Sequence, residues 1–171
     1  MRRTARSILI AILLTGVVVA LLHPVLRHPL VFLSLWRSPM PPRVRIPVEG
    51  VAEESLVDTW GAARSEGRRH EGIDIFAPRG TRVISATRGI ILVVGTNRLG
   101  GRVVEVLGPG LVWHYYAHLD RYAAIHAGQV VQAGEVLGYV GDSGNATGTP
   151  CHLHYGMYVP PHHAVDPYPF L

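Results

Sequence analysis

Two pairs of side chains in this sequence have the types and the spacing of metal ligands. His152 and His154 form an H-x-H pair, and His70 and Asp74 form an H-x-x-x-D pair. On a β-strand, residues i and i+2 face the same side about 6.6 Å apart, so one imidazole of the H-x-H pair can bind an ion while the other faces the water beside it. Two histidines and one carboxylate, with an open position for water, are a standard catalytic zinc set.

His70 and Asp74 can share one ion only if the chain bends between them. On a straight strand they would be about 13 Å apart, and Gly72 permits the required bend. The pair His70-Glu71 resembles the start of the helical motif H-E-x-x-H, but position 74 is Asp and the segment has no helical pattern. Glu71 is therefore not assigned as a general base.

A third group of polar side chains lies in the run 111–120, which reads LVWHYYAHLD. Alternation along a strand predicts that His114, Tyr116 and His118 share one face, and that the opposite face is formed by Trp113, Tyr115 and Ala117. His118, at the end of this strand, is the better placed histidine to reach a neighbouring site. A histidine on this face is also compatible with a hydrogen-bonded position in the core.

The elements that must position these groups are predicted to be strands. Runs rich in Val, Ile and Tyr, separated by Gly, Asn and Pro, predict strands at 82–86, 89–95, 102–107, 111–117, 129–132 and 136–140. After the N-terminal apolar run, the one helical pattern is weak and covers 53–63. Short strands at close spacing predict an all-β domain, folded as an antiparallel sandwich or open barrel and preceded by one N-terminal hydrophobic helix.

Residues 1–24 are predicted to be a signal anchor or a signal peptide. Three arginines precede an uncharged run at 8–22, which reaches about 22 Å as a helix, short of a hydrocarbon core of ~30 Å. This length suits a short anchor or the apolar region of a signal peptide. The run continues through the conceivable cleavage site after Ala20, which favours the anchor. The excess of Arg before the run favours a C-terminal part outside the membrane, facing the periplasm or exterior.

Residues 25–45 are predicted to be a Pro- and Arg-rich tether, and residues 46–171 the functional domain. Five prolines between positions 24 and 42 argue against a long helix and for an extended segment. The apolar stretch 30–36 within it is compatible with two positions. It can lie on a membrane surface or pack on the domain that follows.

The composition excludes several classes of protein. All sixteen basic residues are Arg, and the absence of Lys excludes a Walker A loop, a pyridoxal Schiff base and a lipoyl or biotinyl carrier. The single cysteine, Cys151, excludes an intramolecular disulfide framework and a Cys-based zinc finger. The net charge of +4 comes from residues 1–45, which hold seven Arg and no acid, because residues 46–171 hold nine Arg against twelve acids, or −3. A nucleic-acid partner is therefore not expected.

The motifs occur in a characteristic order along the chain. H-x-x-x-D is followed by Y-A-H-L, then by G-x-V-V-x-x-G-x-x-L-G-Y-V-G, and then by H-L-H. In this order and spacing, residues 60–158 resemble the lysostaphin-type (LytM-like) zinc metallopeptidases, which cut peptidoglycan cross-links. The resemblance implies a groove on an antiparallel sheet with one zinc ion on its floor, walled by the loops at 97–101 and 142–149.

The same resemblance implies the roles of individual residues. His70, Asp74 and His154 match the three zinc ligands, and His118 and His152 match the two catalytic histidines, between which the acid and base roles stay undivided. Asn145 and Thr147 are candidate substrate contacts, and their alternative role is ordinary turn chemistry, which Asn and Thr also favour. The implied activity is hydrolysis of amide bonds in peptidoglycan peptides by a zinc-activated water.

The sequence departs from the family pattern around the H-x-H pair. Cys151 stands where Pro is expected, and alternation points its side chain away from His152 and His154. Residues 155–157 read Tyr-Gly-Met where Phe-Glu is common. The remaining histidines of the domain, His126, His162 and His163, match no motif.

Two alternative functions stay open at this point. Relatives that have lost metal ligands bind and activate other cell-wall hydrolases, but all five motif positions are intact here, which favours an enzyme. The second alternative is a peptidase that acts on Gly-rich proteins. The zinc set does not distinguish it, because bond choice depends on the shape of the groove rather than on the metal ligands. The partners expected are peptidoglycan peptides and, through the N-terminal segment, the inner membrane.

Overall fold

The computed structural model describes residues 28–64 and 67–171, together with Thr15 and Val19. The predicted N-terminal hydrophobic helix at 8–22 lies, apart from those two positions, outside the described residues. Across the described part of the chain, no helix combines the length and the apolar character needed to cross a membrane.

Antiparallel strands form one unclosed sheet. They are β1 (Ile73–Phe76), β2 (Arg82–Ile84), β3 (Gly89–Asn97), β4 (Gly101–Leu107), β5 (Trp113–Tyr122), β6 (Val130–Val131), β7 (Val136–Val140), β8 (His152–Val159) and β9 (His163–Val165). The order is β1-β8-β5-β4-β3-β6, with β7 paired to β2 and β5, and β9 paired to β8. The predicted all-β antiparallel fold is confirmed, and its form is the open one.

The predicted strands correspond to β2 to β7, with different ends. The run at 111–117 is extended to Tyr122 in β5, because residues beyond Ala117 pair with a second neighbour. The weak helical pattern at 53–63 is wrong: its regular structure in the described residues is one 3-10 turn, Glu53–Ser55. β1, β8 and β9 are not among the predicted runs, although the H-x-H pair was expected to lie on a strand, as it does in β8.

The sheet branches at β5. One edge of β5 pairs with β4, whereas the other pairs with β8 over 113–117 and with β7 from Leu119 onward. His118 lies where the partner changes, with a left-handed φ of 63° that is uncommon for a residue with a Cβ. Its backbone N–H donates to the carbonyl of Gly100, in the loop between β3 and β4, at 2.8 Å. The regular alternation of side chains is therefore interrupted at His118.

The core lies on the face of the sheet opposite the candidate ligands. Tyr116 and Tyr155 are fully buried there with Leu119 and Leu153. The hydroxyl of Tyr116 accepts the N–H of Ala86 at 2.9 Å, which satisfies a polar group that has no access to water. These contacts hold the core-facing side of β5 and β8 in place. The opposite side of the same two strands carries the candidate site.

Residues Pro29–Arg37 form a helix, α1, inside the predicted tether. Proline is tolerated in the first turn, where its missing N–H has no intrahelical partner to lose. Leu35 is fully buried, and Arg88 donates to the hydroxyls of Ser34 and Ser38 at 3.1 and 3.0 Å. The expected extended conformation is therefore wrong for this stretch, which packs on the domain while Leu30 and Trp36 stay exposed. The division at residue 45 stays a prediction.

Candidate metal centre and groove

Three atoms of the types that bind metals converge on one face of the sheet. His70 Nε2 lies 2.7 Å from His154 Nδ1 and 3.1 Å from Asp74 Oδ1, and His154 Nδ1 lies 3.3 Å from the same oxygen. In the described portion of the chain this is the one group of three or more His, Cys, Asp or Glu side chains close enough to hold an ion. The three ligands implied by the resemblance are thus brought together.

Strand pairing places two of these ligands side by side. Asp74 on β1 is directly opposite His154 on β8, and residues opposite each other on one face are neighbours. His70 precedes β1 and returns to the site through the turn at Gly72. A Cβ at position 72 would lie 2.5 Å from the carbonyl oxygen of Tyr155 and 2.7 Å from Cε1 of His154. The predicted bend is present, and glycine is needed there for close approach to β8.

Thr59 supports two of the ligands, and sequence reasoning missed it. His70 Nδ1 donates to the Thr59 carbonyl at 2.8 Å, which leaves Nε2 facing the other candidate ligands. The Thr59 hydroxyl accepts the backbone N–H of Asp74 at 2.9 Å. Outer contacts of this kind fix the tautomer and orientation of metal ligands. Thr59 lies 11 residues before His70, and no motif or periodicity marks it.

The two oxygens of Asp74 have different partners. Oδ1 faces His70 and His154, whereas Oδ2 is bound by the guanidinium of Arg64. Burial alone would raise the pKa of Asp74, but hydrogen bonds to His154 and His70 outweigh it and hold that pKa well below its usual range. Asp74 is therefore an anionic candidate ligand with one oxygen directed at the site. Arg64 is a second positioning contact that the sequence did not indicate.

His118 and His152 lie beside the ligand group and have matching orientations. Nδ1 of His118 donates to the carbonyl of Ser143, and Nδ1 of His152 donates to the carbonyl of Pro150, each at 2.8 Å. In both rings Nε2 remains for the groove, and the ring centroids are 5.0 Å apart. Burial lowers the pKa of His118 to about 4, so the ring is neutral at pH 7 and can accept a proton.

The face predicted for His118 is wrong, although its predicted nearness to the site is confirmed. Tyr116 points into the core, whereas Tyr115, Ala117 and His118 all line the groove. The left-handed backbone at His118 turns its side chain to the face that alternation gives to Ala117. His114, the other histidine of this strand, is buried in the core, and its Nδ1 contacts the hydroxyl of Tyr155 at 2.7 Å.

Two loops hold His118 in this position. The hydroxyl of Ser143 donates to the carbonyl of Leu119 and accepts the N–H of Arg102, at 2.8 and 2.9 Å. Gly101 and Gly144 approach so closely that a Cβ at Gly101 would lie 2.3 Å from the nitrogen of Gly144. The β3–β4 loop and the segment after β7 are thereby joined, and the backbone of the second carries the acceptor for His118.

The groove over the ligand group has a volume of about 960 Å³. Residues 97–100 and 145–146 line it, with Thr149 and Pro150, so both predicted wall loops contribute. Asn145 is among the lining residues and stays a candidate substrate contact. Thr147 is not among them: its hydroxyl donates to the Gly144 carbonyl at 2.9 Å within a turn. This bond is the turn chemistry weighed above as the alternative, and a substrate contact at Thr147 stays a prediction.

The residues that depart from the family pattern stay outside the ligand group. Cys151 is partly buried and packs against the core, as alternation predicted. Glu71 lines the groove but is not one of the grouped ligands. His162 is exposed, and its ring stacks on Tyr158 with centroids 4.8 Å apart.

Tyr115 and Tyr158 add aromatic surface to the groove beside His154. The Tyr115 ring lies edge-on to His154, with centroids 5.9 Å apart, and its hydroxyl accepts from the Asn97 amide at 3.0 Å. Burial raises the pKa of Tyr158 to about 12, so its hydroxyl keeps its proton at neutral pH. Alternation had placed Tyr115 on the face away from His118, which is why its position in the groove was not anticipated.

Comparison with known proteins places these features in a family. The sequence model of Peptidase family M23 matches residues 68–167 of this chain. This range includes all three grouped ligands, His118 and His152. The L-Ala–D-Glu endopeptidase of Bacillus subtilis (strain 168) is 44% identical over 128 residues, covering 68% of this chain and 39% of that protein. The chain thus spans well under half the length of this curated relative.

Two crystal structures share the fold. The lytM protein of Ruminococcus gnavus ATCC 29149 superposes with a TM-score of 0.63 at 34% identity, over 80% of this chain and 60% of that one. The catalytic domain of the antimicrobial peptidase lysostaphin from Staphylococcus simulans superposes with a TM-score of 0.62 at 28% identity, over 69% of this chain and 93% of that one. The similarity therefore extends over nearly the whole of a peptidase catalytic domain.

Proposed function

The chain belongs to peptidase family M23, and we propose that it is a zinc-dependent endopeptidase that hydrolyses amide bonds in the peptides of peptidoglycan. The observation that carries this proposal is the convergence of His70 Nε2, Asp74 Oδ1 and His154 Nδ1 within 3.3 Å of one another. Two neutral imidazoles and one carboxylate are a donor set that suits zinc and leaves a position for water.

The donor set fits a metal in its protonation as well as in its geometry. His70 donates its Nδ1–H to the Thr59 carbonyl, so Nε2 is the nitrogen that faces the other two candidate ligands. Asp74 is held as an anion and commits its second oxygen to Arg64. Burial lowers the pKa of His154, which keeps that ring neutral. A zinc ion bound among the three atoms would replace the hydrogen bonds that join Asp74 to His154 and His70 and would use a lone pair of each.

The reaction we propose is hydrolysis of an amide by water. Bound zinc lowers the pKa of a coordinated water and polarises the scissile carbonyl. His118 and His152 present Nε2 to the groove, so they can accept the proton of the attacking water and return a proton to the amine as the C–N bond breaks. Their N–H groups, when protonated, also stabilise the oxyanion of the tetrahedral intermediate.

The substrate we propose is the stem peptide of peptidoglycan. The Bacillus relative is named for the L-Ala–D-Glu bond, which lies within a stem peptide. Other relatives are named for DD and glycyl-glycine bonds, so the family name alone does not select one bond. The higher identity to the L-Ala–D-Glu enzyme supports the stem peptide as the first substrate to test.

We further propose that the domain is attached to a membrane and faces the periplasm or exterior. The support is the Arg-flanked apolar run at 8–22. α1 follows shortly after that run and exposes Leu30 and Trp36 while its Leu35 is buried against the domain. Exposed apolar side chains beside an anchor suit the boundary of a lipid surface.

The full-length chain, purified in detergent, provides the test. We expect it to bind one zinc ion per chain, measured by plasma mass spectrometry, and to release soluble fragments from purified peptidoglycan. Mass spectrometry of those fragments identifies the bond, and the activity should disappear with a chelator and return with zinc. A non-catalytic regulator that activates another hydrolase is the alternative; protein without bound zinc, releasing no fragments, would establish that alternative instead.

A further inference from the structure

Aromatic side chains continue the groove face of the sheet beyond the candidate metal centre. Trp113 on β5 is directly opposite Tyr158 on β8. His162, in the turn between β8 and β9, stacks on Tyr158 and meets Trp113 edge-on, with ring centroids 4.8 Å apart in each pair. Tyr115 lies edge-on to Tyr158, with centroids 6.5 Å apart. We call the surface formed by Trp113, Tyr115, Tyr158 and His162 the aromatic shelf, of which Trp113 and His162 are exposed.

The aromatic shelf is continuous with the groove over the metal centre. Tyr115 and Tyr158 line that groove. Tyr158 also lines a second, smaller cavity of about 90 Å³, together with Trp113, His162 and the turn 159–161. Because the groove and the smaller cavity share Tyr158, a molecule bound at the metal centre can extend onto the shelf by passing over one ring.

Gly156 keeps the floor open between the metal centre and the shelf. It is one of the residues that depart from the family pattern, and it lies opposite Tyr115. Alternation puts it on the same face as His154 and Tyr158. A Cβ at position 156 would lie 3.1 Å from Cε2 of Tyr158 and 3.1 Å from the carbonyl oxygen of Glu71. The glycine therefore leaves β8 without a side chain on this face between the candidate ligand and the shelf.

Spacing along β8 indicates what can reach the shelf. Tyr158 is four residues beyond His154, about 13 Å along a strand, and Gly156 is at half that distance. In peptidoglycan, the L-Ala of the stem peptide is joined to the muramyl sugar through a lactyl group. Counted as two extended residues, this link puts the start of the sugar ring about 7 Å from the L-Ala carbonyl carbon. With the L-Ala–D-Glu bond at the metal centre, the sugar therefore falls on the shelf.

A sugar ring also suits the chemistry of the shelf. A pyranose has apolar C–H faces, which pack on aromatic rings, and a polar rim, to which the Tyr158 hydroxyl can donate a hydrogen bond. An ammonium group is also attracted to aromatic faces, but among the described residues no carboxylate lines the smaller cavity. A neutral ring is therefore favoured over an amine.

We infer that the aromatic shelf is a subsite for the muramyl sugar, so that this chain cuts stem peptides that are still attached to glycan. The inference rests on the proposed function and specifies the substrate of that same site. Trp113 presents the largest ring of the shelf, and its side chain is 36% exposed. Its removal should therefore weaken the subsite most.

The test compares two synthetic substrates that share the tripeptide L-Ala–γ-D-Glu–diamino acid. One carries N-acetylmuramic acid on the L-Ala nitrogen, and the other carries lactate alone, which keeps the amide but lacks the sugar. For the full-length zinc-loaded protein we expect kcat/KM to be about tenfold higher for the muramyl substrate, the upper end of what one aromatic packing contact contributes. The difference should appear mainly in KM, and it should persist as salt is raised because the sugar ring is neutral.

Matched variants assign the effect to the shelf. Trp113→Ala should lose most of the preference for the muramyl substrate, and Trp113→Phe should keep part of it because an aromatic ring remains. Trp36→Ala removes an exposed tryptophan of α1 and should leave the preference unchanged. Zinc content and Tm are measured for every variant, so that a change in the metal centre or the fold is recognised.

The outcomes separate this inference from the proposed function. Equal kcat/KM for the two substrates, or a preference that persists in Trp113→Ala, overturns the inference and leaves the peptidase activity intact. Acetylation of the side-chain amine of the diamino acid is the test for an amine on the shelf. If acetylation slows the wild type but not Trp113→Ala, the shelf binds that amine and the inference is overturned.

If neither substrate is cut, the proposed function fails, and calorimetry of the same two compounds with the zinc-loaded protein decides the inference. Tighter binding of the muramyl compound that is lost in Trp113→Ala supports it. Equal binding of the two compounds overturns it.

Discussion

His118 Nδ1 lies 2.8 Å from the carbonyl oxygen of Ser143, and this contact decides which nitrogen of the ring is available for chemistry. A carbonyl can only accept, so Nδ1 carries the proton and Nε2 carries the lone pair. The Ser143 hydroxyl is bonded in turn to Leu119 and Arg102. The tautomer of His118 is thus set by a loop that is joined to a second loop, rather than by a carboxylate.

Replacing His118 by Ala should separate catalysis from metal binding. The three grouped ligands do not include His118, so we expect His118→Ala to keep its zinc. We expect its kcat to fall by about 10² or more, because proton transfer by a positioned side chain contributes that much. Zinc content and turnover of a stem peptide are the two measurements.

Two comparison variants define what the His118 result means. His154→Ala removes a ligand and should lose zinc and activity together. His126→Ala removes an exposed histidine whose ring contacts the Ala127 carbonyl, and it should behave as wild type. A His118→Ala protein with full turnover would falsify the role given to this residue.

Thr59→Val should weaken metal binding although Thr59 is not a ligand. Valine keeps the shape and the backbone carbonyl that holds His70, but it removes the hydroxyl that accepts the N–H of Asp74. Loss of such a supporting contact lowers metal affinity by about 10- to 100-fold. Competition for zinc against a chromophoric chelator measures the change.

The control for Thr59 is Thr81→Val. The Thr81 hydroxyl donates to the Pro78 carbonyl in an exposed turn, so its removal should leave zinc affinity unaltered. Equal affinities for Thr59→Val and wild type would mean that the β1 backbone is held without this hydroxyl.

Gly72→Ala should disrupt the site by steric overlap. The new Cβ would lie 2.5 Å from the Tyr155 carbonyl oxygen, a backbone atom on β8 that cannot rotate away. The turn between His70 and Asp74 must then shift, and overpacking of this kind costs about 1–3 kcal/mol of folding free energy. We expect a lower Tm and a zinc affinity reduced by at least tenfold, measured by differential scanning calorimetry and chelator competition.

Gly95→Ala provides the comparison for Gly72→Ala. Gly95 lies on β3, and the nearest atom to its added Cβ is 3.6 Å away, at ordinary contact distance. Both zinc affinity and Tm should stay near wild-type values. If the two alanine variants behave alike, the close approach of Gly72 to β8 is not what the site requires.

The sequence predicts the ligands better than the residues that orient them. The H-x-H pair on a strand and the bend at Gly72 follow from local geometry, and the structure has both. The face of His118 does not follow, because its left-handed backbone depends on β5 changing partners from β8 to β7. Thr59 and Arg64 act through contacts that sequence spacing does not encode. Alternation along a strand therefore predicts which face each side chain occupies only as far as the strand keeps the same neighbour.

Stability should fall with decreasing pH through His114, which takes no part in the candidate site. His114 is fully buried, and burial lowers its pKa to about 3, whereas an unfolded histidine titrates near 6.5. Between these values the unfolded chain binds one more proton at this residue than the folded chain does. The contribution is therefore complete above about pH 6.5 and is lost as the pH falls towards 3, with a slope of up to about 1.4 kcal/mol per pH unit.

The variant His114→Gln isolates this contribution. Glutamine can still contact the Tyr155 hydroxyl, which lies 2.7 Å from His114 Nδ1, but it does not titrate. Urea unfolding of the two chelator-treated proteins between pH 7 and pH 4 should give free energies that fall more steeply for the wild type. His118 and His154 are present in both proteins, so their own titration cancels in the difference. Parallel curves would show that His114 becomes protonated in the folded state as readily as in the unfolded chain.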